Sequence, residues 1–364
     1  MMRLGILGLG RAAYQVLRAL PFVAGVRLSA VSDVNEDALA AFAPDMQVER
    51  HCSASELAAS PKVDAIWIAT PSFLHCDHTL LAAAAGKHVI CDKPMAITLD
   101  ECQRMVSAIG RARTQLLMVS KTFDPPIRKM KAIIDSGEVG RVVTINMIVY
   151  TDWMTRPRLP EEYDVSLGGG VVFRQGPHLV DIARYLAGGE ICSIVSTLHS
   201  QPPRPKTPGA FNALLSFEHG ATANISFNGF GVFDTAELTW NHGETGRASV
   251  WRAPPGEAHP SSAAVKASHA RQSINDNVTG HAFYGLTIVA CEHGLIRQSE
   301  GGIYIYAREG RREEQVTRTE RCVGELMEMR DMFERSGTQS VFPNGQWGAE
   351  TMRACLNIMS NTLV

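Results

Sequence analysis

The chain has 364 residues, 45% hydrophobic and 20% charged, with 35 Lys and Arg against 37 Asp and Glu and a formal net charge of −2. This length and composition fit two globular domains, and the balanced charge excludes a general electrostatic pull toward nucleic acid or an anionic membrane. No run of about 18 apolar residues is present to cross a bilayer, and the eight cysteines include no C-x-x-C pair, which points to a cytoplasmic protein with free thiols and neither a disulfide framework nor a structural zinc site.

The first 123 residues alternate short apolar runs with helical patterns. Arg3–Leu9 reads as a buried strand rather than a signal peptide, because Gly5, Gly8 and Gly10 break the apolar run and Arg11 closes it. Arg11–Leu20 reads as a helix, Val26–Asp33 and Val63–Ala69 as strands, and His75–Ala85 as a helix with Gly86 at its C′ position. His88–Cys91 is a strand, Thr98 and Glu101 form a capping box for a helix to Arg111, and Leu116–Ser120 is a strand. Strands alternating with helices imply a parallel sheet covered on both faces, a doubly wound α/β Rossmann architecture.

The pattern then changes. Asp124 and Pro125 open a helix that runs to Ser136 and stops at Gly137. Strand-like segments follow at Val142–Tyr150, Cys192–His199, Phe211–Phe217, Ala221–Phe227, Ala236–Trp240, Ala248–Arg252, Leu286–Glu292 and Gly302–Tyr306, interrupted by a helix over Pro177–Leu186. They predict an α+β domain with a large, mostly antiparallel open sheet. Residues 253–277 read as a loop, and helices are expected over Glu320–Arg335 and Trp347–Leu363. The expected division is residues 1–123 for cofactor and 124–364 for substrate and oligomerisation, with helix 347–363 packing back on the first domain.

Gly8-Leu9-Gly10-Arg11-Ala12-Ala13 is a G-x-G-x-x-A fingerprint between a strand and a helix. Gly8 permits the tight turn, Gly10 lets backbone approach a pyrophosphate, and Ala13 lets helix and strand pack closely. The helix N-terminus, with Arg11 and Ala12 in its first turn, supplies donors for phosphate. Asp33 ends the second strand 23 residues after Gly10, where an acid bonds a ribose 2′-hydroxyl and repels a 2′-phosphate. This favours NAD over NADP.

Ala69-Thr70-Pro71-Ser72 with His75, then Ala85-Gly86-Lys87-His88-Val89-Ile90-Cys91-Asp92-Lys93-Pro94, resembles the glucose–fructose oxidoreductase / inositol dehydrogenase / MocA (Gfo/Idh/MocA) family, with Asp92 in place of the usual Glu. Gly168-Gly169-Gly170 and Gln175-Gly176-Pro177-His178 with Asp181 resemble its second signature. The resemblance implies cofactor contacts from Thr70, Pro71, His75, Asp92 and Lys93, and places Lys93 and His178 beside the nicotinamide and the reacting carbon. A neutral imidazole can accept a hydroxyl proton, an ammonium can stabilise an alkoxide, and a lysine of depressed pKa can itself be the base. Asp181 either orients His178 or merely lies in the helix's first turn. His75 and His78 share a helix, but no further ligands accompany them, so no metal is expected.

The chain departs from the family where Arg174 replaces the common Asp four residues before the histidine. An arginine there suits a carboxylate or phosphate. Trp153, Arg156 and Arg158 follow a strand and Lys121 ends another, which adds cations and an indole for an anionic ring, unless Arg156 and Arg158 pair with Glu161 and Glu162. The run from Tyr150 to His178 resembles the branch of phthalate 4,5-cis-dihydrodiol dehydrogenases. The expected activity is NAD-dependent oxidation of a carboxylated cyclic diol. The alternatives are a sugar, sugar-acid or inositol dehydrogenase, and a non-catalytic dinucleotide-binding regulator. The family resemblance and the long open sheet also imply a homodimer or homotetramer.

Overall fold

A computed structural model describes residues 1–202, 204, 206–249, 278–335 and 340–360. Strand β1 (Met2–Leu7) leads through the glycine loop into α1 (Arg11–Ala19) and then β2 (Val26–Ser32). Three short elements follow that the hydrophobic pattern does not announce: α2 (Glu36–Ala41), β3 (Glu49–His51) and α3 (Ala54–Ala59). Their signals are caps rather than periodicity, since Asn35 accepts from the amides of Asp37 and Ala38, and Ser53 from that of Glu56. The segment continues through β4 (Ala65–Ile68), α4 (His75–Ala84), β5 (His88–Cys91), α5 (Leu99–Ala112) and β6 (Leu116–Met118). The Thr98–Glu101 capping box is present at the start of α5, and Gly86 takes the left-handed φ of +69° after α4.

The six strands form one parallel sheet in the order β3-β2-β1-β4-β5-β6. The order reverses between β1 and β4, so a crevice opens at their carboxyl ends, where such sheets bind ligands. Two apolar cores sandwich the sheet, one built around Leu4, Ile6 and Trp67 and the other around Ile66, Val89 and Met105.

Beyond α6 (Pro125–Asp135), β7 (Val142–Tyr150) enters a second sheet. A short helix α7 (Gly170–Arg174) and α8 (Gly176–Ala187) precede β8 (Ile191–His199), β9 (Ala210–Phe217) and β10 (Thr222–Asn228). Next come β11 (Leu286–Cys291), β12 (Leu295–Gln298), β13 (Gly302–Ala307) and β14 (Gly310–Gln315), then α9 (Val323–Glu334) and α10 (Gly345–Ser360). The order is β14-β13-β12-β11-β7-β10-β9-β8, antiparallel except where β10 lies parallel to β7. Alternating burial along β7 and β10 puts one face on a core shared with α6, α8 and α10. The terminal helix touches both halves: Ala349 and Met352 join the core beneath α5, while Ala354, Cys355 and Ile358 join that of the second sheet.

Three expectations need correction. Ala236–Trp240 is no strand but a 3-10 turn over Thr235–Leu238: Asp234 caps the Ala236 amide, and Trp240 and Asn241 take φ of +52° and +56°, outside the extended region. Asp124 does not cap α6 with its side chain, because its carboxylate pairs with Lys121 at 3.2 Å. Strands β12 and β14 escape the hydrophobic pattern, the former by its four-residue length and the latter by its Arg- and Glu-rich sequence at the sheet edge. Of the expected strand Ala248–Arg252, Ala248 makes an isolated bridge to His242, and the rest from residue 250 lies outside the described residues, as do the expected loop 253–277 and residues 361–363. Among the described residues no helix is long and apolar enough to cross a membrane.

Candidate active site

The glycine loop sits at the reversal point of the parallel sheet. Gly8 has φ +89°, and a Cβ there would stand 2.9 Å from the backbone of Ala69 and from Thr70 Cγ2, so the turn admits only glycine. A Cβ on Gly10 would meet nothing within 4 Å, and α1 carries no side-chain cap. Free amides at the helix N-terminus beside open space fit a dinucleotide pyrophosphate. Asp33 accepts from the Leu9 amide at 2.8 Å and the Asn35 amide at 2.9 Å, so it props the loop while keeping a negative charge at the end of β2. That charge suits the ribose hydroxyls of NAD and opposes a 2′-phosphate.

His75 is buried and ties two backbone segments together. Its Nδ1 lies 2.8 Å from the Pro94 carbonyl and its Nε2 2.9 Å from the Thr70 carbonyl. His78 Nδ1 lies 2.9 Å from Thr70 Oγ1. Both histidines thus fasten the Thr70–Pro71 turn, and His75 also holds the segment after Lys93.

Lys93, at the end of β5, donates from Nζ to the carbonyl of Arg174 at 2.5 Å. That carbonyl ends the short α7 and has no intrahelical donor. Burial, aided by the Arg174 charge and opposed by Asp92, brings the Lys93 amine down to about 7. His178, in the first turn of α8 after Pro177, is buried; burial and the nearby charges of Lys93, Lys121 and Arg321 hold its imidazole well below the ordinary histidine range. Its ring packs on Tyr284 with centroids 4.8 Å apart, and the Tyr284 hydroxyl donates to Gln175 Oε1 at 2.5 Å. Asp181 neither orients His178 nor is idle. It accepts from Ser120 Oγ at 2.8 Å, from Trp347 Nε1 at 3.0 Å and from Thr351 Oγ1.

One cavity brings together Ala12, Asp92, Lys93, Lys121 and His178. Lys121 is 3% exposed, shared between the Asp124 carboxylate and the Glu244 carbonyl, each at 3.2 Å. The other residues expected to meet substrate form a separate cluster. Arg174 donates to Glu162 Oε1 at 3.3 Å and to Ser72 Oγ at 3.2 Å. Arg158 pairs with the same Glu162 oxygen at 3.3 Å and stacks 3.9 Å above the Trp153 ring, whose edge also meets Tyr163. Trp153 is 3% exposed, so its face is occupied by the protein itself. Arg156 pairs with Asp152 at 2.5 Å.

The sequence reading missed several residues at the cavity. Arg321, Glu325 and His281 line it, Tyr284 stacks on His178, and the Glu244 loop reaches Lys121. Burial pushes the Glu325 carboxyl up to about 7. Burial alone would raise Glu244 too, but Arg321, Lys121, Arg11 and Arg156 together bring it down to about 2. Cys322, the N-cap of α9, takes a left-handed φ of +67°, a conformation found at sites where surroundings over-determine the backbone. None of these residues sits in a motif; only the local strain at Cys322 and the clustered charges mark them, and both need the fold to be visible.

Residues 2–120 match the family described as "Oxidoreductase family, NAD-binding Rossmann fold" (GFO/IDH/MocA), and residues 127–249 match the GFO/IDH/MocA C-terminal domain. The chain is 32% identical over 379 residues to a 1-carboxy-3-chloro-3,4-dihydroxycyclohexa-1,5-diene dehydrogenase of Comamonas testosteroni, covering 98% of this chain and 94% of that one. It is 31% identical over 260 residues to inositol 2-dehydrogenase 2 of Saccharopolyspora erythraea, covering 68% of this chain and 73% of that one. A solved structure from Bordetella bronchiseptica RB50 aligns with a TM-score of 0.89 at 30% identity, covering 99% of this chain and 97% of that one.

Proposed function

The chain belongs to the Gfo/Idh/MocA oxidoreductase family and carries its NAD-binding Rossmann domain, and from that premise we propose that this dehydrogenase oxidises one hydroxyl of a carboxylated cyclic diol. The observation that carries the reading is the meeting of Lys93 and His178 in one cavity at the carboxyl edge of the parallel sheet, where the glycine loop leaves room for a dinucleotide. The diol is supported by the Comamonas relative, whose name specifies a carboxylated dihydroxycyclohexadiene.

Bound nicotinamide supplies the hydride acceptor. Around it, Gly8, Gly10, Arg11, Ala12 and Asp33 hold the dinucleotide, and Thr70, Pro71, His75 and Asp92 shape the turn facing it. Lys93, its amine brought down to about 7 by burial, takes the carbinol proton as the C–H bond yields its hydride, leaving a carbonyl on the ring. His178 stays neutral and donates a hydrogen bond to that oxygen, and Lys121 adds positive charge. The hydroxydienone tautomerises to an aromatic diol, which draws the reaction toward oxidation. Arg174 acts through its carbonyl on Lys93 and through its guanidinium on Glu162, while Trp153, Arg156 and Arg158 shape the neighbouring wall.

The test is the growth of reduced-nicotinamide absorbance with NAD and 4,5-dihydroxy-4,5-dihydrophthalate or a monocarboxylated cyclohexadiene diol, against myo-inositol and glucose. Turnover confined to the carboxylated diols is expected. Oxidation of myo-inositol alone would sink the reading in favour of a polyol dehydrogenase, which the Saccharopolyspora relative favours. We also propose self-association through the outer face of the second sheet, where Val143, Val195 and Leu214 are 49%, 45% and 41% exposed and Val195 lies opposite Leu214. Sedimentation at micromolar concentration is expected to give a dimer or tetramer; a monomer would refute it.

A further inference from the structure

The cations lining the cavity differ in how they are satisfied. Lys93 donates to the Arg174 carbonyl, Lys121 is held by Asp124 and the Glu244 carbonyl, and Arg318 donates to the Val278 carbonyl. Arg321 lines the same cavity and makes neither a hydrogen bond nor an ion pair with any described residue. A guanidinium presents five donors in a rigid fork matched to a carboxylate, and this half-buried one, whose charge is held by carboxylates at longer range, keeps its donors without a direct acceptor among the described residues. Glu244, Asp124 and Glu325 surround it electrostatically without pairing to it, and Arg321 is felt by both Lys93 and His178, so it stands close to the reacting end of the cleft.

We propose that Arg321 anchors the substrate's carboxylate in a forked hydrogen-bonded pair, setting the ring so that its carbinol meets Lys93 and His178. The inference rests on the carboxylated-diol reading and assigns its specificity to a residue outside every family signature in the sequence. Glu244, drawn toward the same cations, is the internal carboxylate with which the ligand competes, so removing its charge has the opposite effect.

The test uses the NADH complex of the full chain, titrated calorimetrically with 3,4-dihydroxybenzoate, a carboxylated aromatic diol, and with catechol, the same ring without the carboxylate. Wild type is expected to prefer 3,4-dihydroxybenzoate. Arg321→Gln is expected to lose about tenfold or more for it and nothing for catechol. Glu244→Gln is expected to tighten it several-fold, which keeps the proposal testable if Arg321→Gln folds poorly. Equal losses for both ligands, or a loss confined to NADH itself, overturn the proposal, the second by giving Arg321 to the pyrophosphate. If wild type shows no preference for the carboxylated ring and turns over only neutral polyols, the functional reading fails instead. That failure appears in wild type alone, before any variant is compared.

Discussion

Two groups of cations flank the cleft, and their surroundings differ. Around the loop after β7, Arg158 and, from the end of α7, Arg174 share Glu162, Arg156 has Asp152, and Arg158 and, from beyond β8, Arg204 lie over the rings of Trp153 and Tyr163. In the cavity, Arg321 makes neither a hydrogen bond nor an ion pair with any described residue, and burial brings the Lys93 amine down to about 7. The guanidiniums of the first group are matched by carboxylates and rings and build a wall beside the cavity, while the cations of the second line the cavity in which we propose the substrate binds. Arginines near a site therefore indicate an anionic substrate only when the fold leaves them unsatisfied. The count alone, which made Arg156, Arg158 and Arg174 attractive in the sequence, does not separate the two cases.

The sharpest way to test this contrast is to remove a member of each group. Lys93→Met is expected to lower kcat/KM by about 10²–10⁴-fold, with a much smaller loss of NAD affinity measured by fluorescence titration. A variant within tenfold of wild type would move the proton-accepting role to His178. Glu162→Ala leaves two part-buried guanidiniums without their shared carboxylate, and a loss of about 3 kcal/mol in denaturant stability is expected; a shift below about 1 kcal/mol would mean the wall is not closed as described. For pH, the working form of Lys93 is the neutral amine, so kcat/KM is expected to rise about tenfold per unit below pH 7 and level off above about 7. A profile flat from pH 6 to 8 would contradict it. Arg156→Ala, at an exposed pair, is expected to cost less than about 1 kcal/mol and to change KM for the diol by less than about twofold.

Much of the first domain was legible because its signals are local. The glycine loop, Asp33 and the Thr98–Glu101 box each need only neighbours in sequence, and Lys93 and His178 lie in contiguous motifs. Elements of three to six residues such as β3 and α3 were missed because they are too short to show a period. In the site, the limit was satisfaction rather than position. That Glu162 would take both Arg158 and Arg174 follows from a loop conformation, although the four-residue spacing to Arg158 was a usable hint. Arg321 and Glu244 are separated by 77 positions and meet across two parts of the fold, which no window of sequence contains.

The carboxylate of Asp181 decides how the two halves are joined. It receives bonds from the end of the parallel sheet and from the terminal helix while itself belonging to the helix that carries His178, and Arg184 on that helix adds bonds to Trp347 and Thr351. This seam of bonds behind His178 fastens its helix to the end of the parallel sheet and to the terminal helix at once.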